Sequence, residues 1–349
     1  MPTVTIRDVA QEAGVSIGSV SRLLSGDTTF RARPETEYRV RAAAERLGYQ
    51  ANPGARLLRQ QKPTMVGIAV STSALVNSSV NNLVRALQAE LIQQEHEPIL
   101  VEPHLMIPSG TRPSFPSPSL LKGLISADLQ LELQIPDFYN ALRNKLPVIA
   151  LYPTSSEEID TVTVDRVDSV FQVVRCLVHK GHKRIMFVGL QDKDHPSIAP
   201  RWEGWNKAVH EFDLQDSYKF EVPPLNKTAY GDAVLSIDYF LAQNPRPTAI
   251  VFSSEEISIH GIRLLVQSGI KVGKEVEVAS MLTGPLFSEN VDAPVTFTEN
   301  PIEQIAQISV RKLISIAEDR DQETTDRQTL IRPNLLTIDD SGTVTEVRM

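Results

Sequence analysis

The 349-residue sequence predicts a small all-α head joined to a larger α/β body. Three observations point there. Over the first fifty residues apolar positions recur at helical spacing and are punctuated by Gly14, Pro34 and Gly48. From Thr64 onward, short β-branched or aliphatic runs alternate with amphipathic helical segments, the pattern of parallel sheets flanked by helices. Charge divides at the same place: residues 1–62 hold ten Lys/Arg against six Asp/Glu, whereas the remainder holds 25 against 37. A basic head on an acidic body suits a chain that meets phosphates at one end only.

The first element is "IRDVAQEA", with Ile6, Val9, Ala10 and Ala13 on one helical face. Gly14 allows a positive φ where the chain must turn, and Ser16 stands where an N-cap oxygen would open a second helix. That helix turns Val20, Leu23 and Leu24 inward and leaves Ile17, Gly18, Ser19, Ser21 and Arg22 outward. The exposed face is slim, polar and tipped with one arginine. Two short helices around a tight glycine turn make either an ordinary helical hairpin or a helix-turn-helix, whose second helix enters the DNA major groove. A third helix follows over Pro34–Tyr49, with Val40, Ala43, Ala44 and Leu47 inside and Gly48 at its end. In "QANPGARLLRQQKPT", Asn52 caps and Pro53 starts a short helix running to about Gln60, stopped by Pro63. Eight residues make a marginal helix alone, so this one needs a partner, its own copy in a dimer lying on DNA.

In the body, "TMVGIAVS", "EPILVEP", "KGLIS", "LPVIALY", "KRIMFVGL", "TAIVFSS" and "EVEVASML" read as strands, with helices such as "NNLVRALQAELIQQE" and "DSVFQVVRCLVHKG" between them. The length requires two sheets. Residues 103–118 hold five prolines and read as an irregular surface loop. Cys176, the single cysteine, reads as a buried small hydrophobe and forms no intrachain disulfide. The N-terminus has no apolar signal core and no run of 18 apolar residues occurs, so a soluble cytoplasmic protein is expected. His179 and His182 lie close in sequence but lack partners at metal spacing. No nucleophile elbow, P-loop or dinucleotide fingerprint is present, so neither catalysis, nor a metal, nor a cofactor is expected.

The segments "TIRDVAQEAGVSIGSVSRLLSG", "LGYQANPGARLLR", "KGHKRIMFVG" and "RWEGW" resemble, in that order and spacing, the LacI/GalR family of bacterial transcription regulators, from Val4 almost to the C-terminus. The resemblance implies a helix-turn-helix head over 1–50, a hinge helix and linker over 51–62, and a periplasmic-binding-protein-like body over 63–349. In that body two Rossmann-like subdomains enclose a small-molecule effector: about 64–162 with 291–322, and about 163–290 with 323–349. It implies a homodimer on a palindromic operator, with the recognition helix in the major groove and the hinge helix in the minor groove. No leucine heptads occur in the tail "IDDSGTVTEVRM", so a dimer rather than a coiled-coil tetramer is expected. Ile17, Gly18 and Arg22 stand where the family reads base edges, and Ser16, Ser19 and Ser21 where it touches the backbone or supports the helix. Arg22 suits guanine, whose O6 and N7 accept a bidentate guanidinium. Thr5, Asn52, Ala55 and Arg56 join the implied DNA contacts. Leu58 matches the leucine wedged between base pairs, with Leu57, packing on the head, as the competing choice.

For the effector, Arg201 matches the family arginine that reaches the ligand from the second subdomain; its fork suits a carboxylate, a phosphate or paired sugar hydroxyls. Trp205, and less directly Trp202, offer a face for a sugar ring, or else pack in the helix core. The family's Asn-Asp pair appears as Glu255-Glu256, its usual aspartate as Leu282, and a frequent acid as Tyr152, while Asn77 is kept without the aromatic that usually follows. A sugar or sugar derivative is the implied effector, although two acceptors for sugar hydroxyls are missing. The implied function is a repressor of carbohydrate-related genes. The alternative is a DNA-binding regulator with a vestigial sensor controlled by a protein partner. A periplasmic sugar receptor would share the body but lack residues 1–62.

Overall fold

The computed structural model describes the chain except for residues 1–3, 26–29, 50–62, 77, 109–113, 129–134, 136, 155, 192–194, 215, 224–227, 285, 319–326 and 348–349. It divides into two compact units, 1–63 and 64–349.

The first unit holds α1 (Ile6–Ala13), α2 (Ile17–Ser25) and α3 (Pro34–Leu47). The Asp8 carboxylate accepts from the Thr5 backbone N–H at 2.7 Å and its hydroxyl at 2.8 Å, placing negative charge at the positive end of α1. Gly14 closes α1 at φ 64°, ψ 40°, and the Val15 N–H returns to the Ala10 carbonyl at 3.0 Å. A side chain in that left-handed conformation costs roughly 1–2 kcal/mol. Ser16 Oγ accepts the Ser19 N–H at 3.1 Å and opens α2. Val9, Val20 and Val40 are fully buried, and Ala10, Ala13, Ala43 and Ala44 let the three helices close around them.

In the second unit one sheet runs β2 (Glu97–Val101), β1 (Met65–Ala69), β3 (Leu121–Ser126), β4 (Val148–Ala150), β5 (Asp160–Val164) and β11 (Gln328–Ile331), all parallel. The other runs β7 (Tyr218–Val222), β6 (Ile185–Leu190), β8 (Ala249–Phe252), β9 (Glu277–Thr283), β10 (Val295–Glu299), β12 (Asn334–Ile338) and β13 (Val344–Glu346). It is parallel as far as β10 and antiparallel beyond. All seven apolar runs read as strands are strands. The sequence reading passed over β5, β7 and β10–β13.

Helices α4 (Ser78–Gln93) and α11 (Ile302–Ala317) cover one face of the first sheet, with Leu87, Leu91, Val310 and Leu313 fully buried on Val66 and Ile68. The other face receives Met106 of α5 (Pro103–Met106) and Phe138 and Leu142 of α6 (Phe138–Leu142). The second sheet lies between α7 (Arg166–His179) with α8 (Ala199–Glu211) and α9 (Ala229–Ala242) with α10 (Glu255–Gln267). Cys176 is buried under this sheet. Each fully buried large side chain, such as Phe187, Phe240 or Phe252, contributes roughly 1.5–3 kcal/mol.

The chain passes between the sheets after β5, after β10 and after β11. This corrects the predicted bounds. β10 falls in the stretch assigned to the first subdomain, 291–322, yet completes the second sheet; β11 falls in the 323–349 tail, yet pairs with β5 in the first. Both lie at crossings, where a strand's sheet is set by which neighbour completes its ladder, information no local pattern carries. The proline-rich segment is also less irregular than predicted: Pro103 begins the short helical turn α5, where it has no hydrogen bond to lose, and Met106 is fully buried.

Candidate DNA-reading helix and effector cleft

On α2, Ile17 is 43% exposed and Gly18 and Arg22 are exposed, whereas Ser19 and Ser21 are half-buried. The hydroxyls of Ser16 and Ser19 lie 2.9 Å apart, so this pair braces the start of the helix. Thr5 caps α1, also exposed. The Arg22 guanidinium lies over the Phe30 ring at 4.8 Å, a brace the sequence reading missed; its only signal was an aromatic eight residues on. Asn52, Ala55, Arg56 and Leu58, with Leu57, lie outside the described residues, as does Asn77.

In the body, the carboxyl ends of the strands in both sheets meet at a cavity of about 370 Å³. Open α/β sheets bind ligands at these ends, where the strand order reverses. Tyr152 follows β4, Arg166 follows β5, His195 and Arg201 follow β6, Ser253 to Glu256 follow β8, and Leu282 closes β9; all line the cavity. Of the predicted effector residues, Tyr152, Arg201, Glu255, Glu256 and Leu282 are thus brought together. Trp205 is not. It is 3% exposed and stacks on Phe187 with ring centroids 5.1 Å apart, inside the core beneath the sheet. Trp202 likewise packs on Phe187 and donates its indole N–H to the Leu190 carbonyl at 2.8 Å. Both aromatics pack beneath the sheet, whereas Arg201, in the first turn of α8, reaches the Ser253 carbonyl at the strand end.

Arg166 is the residue sequence reasoning missed. The residue is 5% exposed, and its guanidinium donates to Thr163 Oγ1 at 2.7 Å and lies 5.5 Å above the Tyr152 ring. Its signal was a cation in the first turn of a helix, against the helix dipole, directly after a strand end. Arg201 donates to the Ser253 carbonyl at 2.6 Å. Burial first, and then the charge of Arg201, push Arg166 down to about 9. Burial pushes Arg201 down to about 10, opposed by the charges of Glu256 and Tyr152. Both remain cationic at neutral pH but are costly to hold bare.

Glu255 Oε2 accepts from the Gly284 N–H at 2.8 Å and from Ser79 Oγ at 3.2 Å. Ser79 belongs to α4 on the first sheet and Glu255 to α10 on the second, so this bond spans the cleft. Burial raises the Glu255 carboxyl. Glu256 accepts from Ser254 Oγ at 2.8 Å. His195 Nδ1 accepts the Ser197 N–H at 3.1 Å, which places the neutral ring's proton on Nε2.

Two family models match this chain: bacterial regulatory proteins of the lacI family over residues 5–52, and the periplasmic binding protein-like domain over residues 174–337. The chain belongs to the LacI family. Its members are transcription regulators, not enzymes. Catabolite control protein A of Priestia megaterium is 26% identical over 319 residues, covering 89% of this chain and 91% of that protein. The HTH-type transcriptional regulator GalS of Salmonella typhimurium is 23% identical over 315 residues, 88% of each. The Lac repressor dimer bound to operator and the anti-inducer ONPF shares the fold, with a TM-score of 0.76 at 21% identity over 96% of this chain and 98% of that one. The regulator CelR in complex with cellobiose gives 0.61 at 19% identity, over 95% and 98%. Among the described residues of this LacI-family chain, no group of three or more His, Cys, Asp or Glu could hold a metal ion, and no helix is long and apolar enough to cross a membrane.

Proposed function

We propose that this LacI-family chain is a cytoplasmic repressor of carbohydrate-related genes, which binds a palindromic operator as a homodimer and is switched by a small effector in its cleft. The observation that carries the reading is the exposed face of α2: Ile17, Gly18 and Arg22 on a slim helix held by a fully buried core. Small residues bring the helix backbone close to the bases, so base discrimination falls to Arg22, and Leu58 of the hinge wedges the minor groove. The cavity at the strand ends supports a working sensor over a vestigial one: it is open, and its wall sets charged and hydroxyl groups among apolar side chains. An effector that prefers one arrangement of the two sheets shifts the hinge between DNA-binding and released states.

The test is selection of operators from a pool of random duplexes, followed by titration of native protein and Arg22→Ala on the selected site and on unrelated DNA. Loss of Arg22 should weaken the selected site by roughly 1–3 kcal/mol and leave unrelated DNA much less affected. Equal loss on both would assign Arg22 to the phosphates instead.

A further inference from the structure

Two arginines face one cavity, Arg166 buried and Arg201 half-buried, and neither is within 4 Å of a carboxylate among the described residues. Arg166 satisfies one nitrogen on Thr163 Oγ1 at 2.7 Å and the Val164 carbonyl at 3.4 Å; its Nε has no hydrogen-bond partner. Arg201 satisfies one nitrogen on the Ser253 carbonyl; its Nε also lacks a partner. In the same wall, Ser197 Oγ, Ser253 Oγ and Asn300 Oδ1 are buried without partners. Protein interiors rarely leave five such atoms around one space, and a guanidinium bare of counter-charge is the costliest of them.

The surroundings add positive potential. Arg166 and Arg201 each stand in the first turn of a helix, α7 and α8, so the amino ends of both dipoles point the same way as the side-chain charges. Of the two wall acids, Glu255 is engaged by Gly284 and Ser79, and only Glu256 acts on Arg201. Leu282 brings no negative charge. The cavity, about 370 Å³, falls at the small end of the range of about 300–1,000 Å³ that holds metabolite-sized ligands.

We propose that the effector is an oxyanion of sugar size, a phosphorylated or carboxylated sugar, whose anionic group is gripped between Arg166 and Arg201 while its hydroxyls meet Ser197, Ser253 and Asn300. The inference rests on the reading that the cleft holds an effector. It names the ligand class from Arg166, a buried residue with two neutral oxygens and the Tyr152 ring around it but no carboxylate within 4 Å among the described residues.

The test is a thermal-shift and calorimetric panel on the full chain at matched ionic strength, using a neutral hexose, its 6-phosphate, the corresponding hexonate and inorganic phosphate. The 6-phosphate or the hexonate should raise the melting temperature while the neutral hexose does not, and whichever anion acts decides between the two sources. Arg166→Met should melt above the native protein when unliganded, because a bare buried charge is gone. It should also weaken the active anion by about ten- to a hundredfold. Leu282→Asp keeps both arginines, suits its left-handed backbone and should weaken the anion by setting a carboxylate in the wall. A neutral hexose that binds as well as its anionic forms, with a response unchanged in Arg166→Met, overturns the anion inference and leaves the effector reading standing. Silence across the panel overturns the effector reading and the inference with it.

Discussion

Leu282 holds φ at 54°, a conformation that costs a non-glycine residue roughly 1–2 kcal/mol. Its N–H donates to Thr298 Oγ1 at 3.1 Å and its carbonyl accepts from Asn300 Nδ2 at 3.1 Å, so neighbours on both sides fix the kink. The ladder between β9 and β10 shifts register at this point, and the shift turns Leu282 onto the cavity wall. Glu255 carries a different cost. Burial raises its carboxyl above the ordinary 4.5, so the folded chain keeps this proton to higher pH than the unfolded chain does. The associated stability is fully present below the unfolded value and is lost as pH rises through the folded one. Glu255→Gln should therefore remove that decline and melt relatively higher near neutral pH. Melting curves between about pH 4.5 and 7.5 test this, and parallel curves for the two proteins would show that ionised Glu255 is not strained.

At the level of elements, the close approach of α7 and α8 positions both cleft arginines. Gly204, the glycine of "RWEGW", makes it possible: a Cβ there would lie 2.5 Å from the Val167 carbonyl oxygen and 3.0 Å from Val170 Cβ. Neither atom is the free end of a flexible side chain. Gly204→Val should thus push α8 away from α7, destabilise the body by about 1–3 kcal/mol and weaken ligand binding at Arg201. Denaturant unfolding monitored by the emission of Trp202 and Trp205, which α8 carries against Phe187, reads the effect directly. An unchanged midpoint would mean that the helices separate without cost. The threonine-rich strands β5 and β10 serve the same region, since Thr163 receives Arg166 and Thr298 bonds Ser169 at 2.5 Å.

Over the whole body, two doubly wound sheets meet at their carboxyl ends, joined by three chain crossings and by the bond from Ser79 to Glu255. The proposed sensing rests on contacts from both sheets to one ligand: binding energy that differs between open and closed arrangements is the only means by which a ligand can shift them. Ser79→Ala removes the spanning bond and should open the cleft without changing the fold. Small-angle scattering of the unliganded variant should give a larger radius of gyration, and hydrogen exchange in the first turn of α4 should quicken. Identical scattering and exchange would leave the closed arrangement to the crossings alone.

The sequence by itself determined the head, because its helices are fixed by local devices: apolar spacing in α1 and α3, Gly14 where φ must be positive, Ser16 as cap. It also determined the buried parallel strands from their aliphatic runs, and five residues it named for the effector, Tyr152, Arg201, Glu255, Glu256 and Leu282, line one cavity. Only the tertiary structure decided the rest. β5 and β10 alternate threonine with apolar residues, a strand signal that a search for aliphatic runs passes over, and their sheet is a matter of distant neighbours. Trp205 and Arg201 lie on one helical face four residues apart, yet Trp205, a turn further in, stacks on Phe187 while Arg201, in the first turn, reaches the cavity; where along α8 the sheet ends decides it. Arg166 sits in a helix that is buried nearly all round, where sequence shows a core element. That its charge acts on Arg201 rather than on an acid is a fact of the folded chain, and the proposed anion site rests on it.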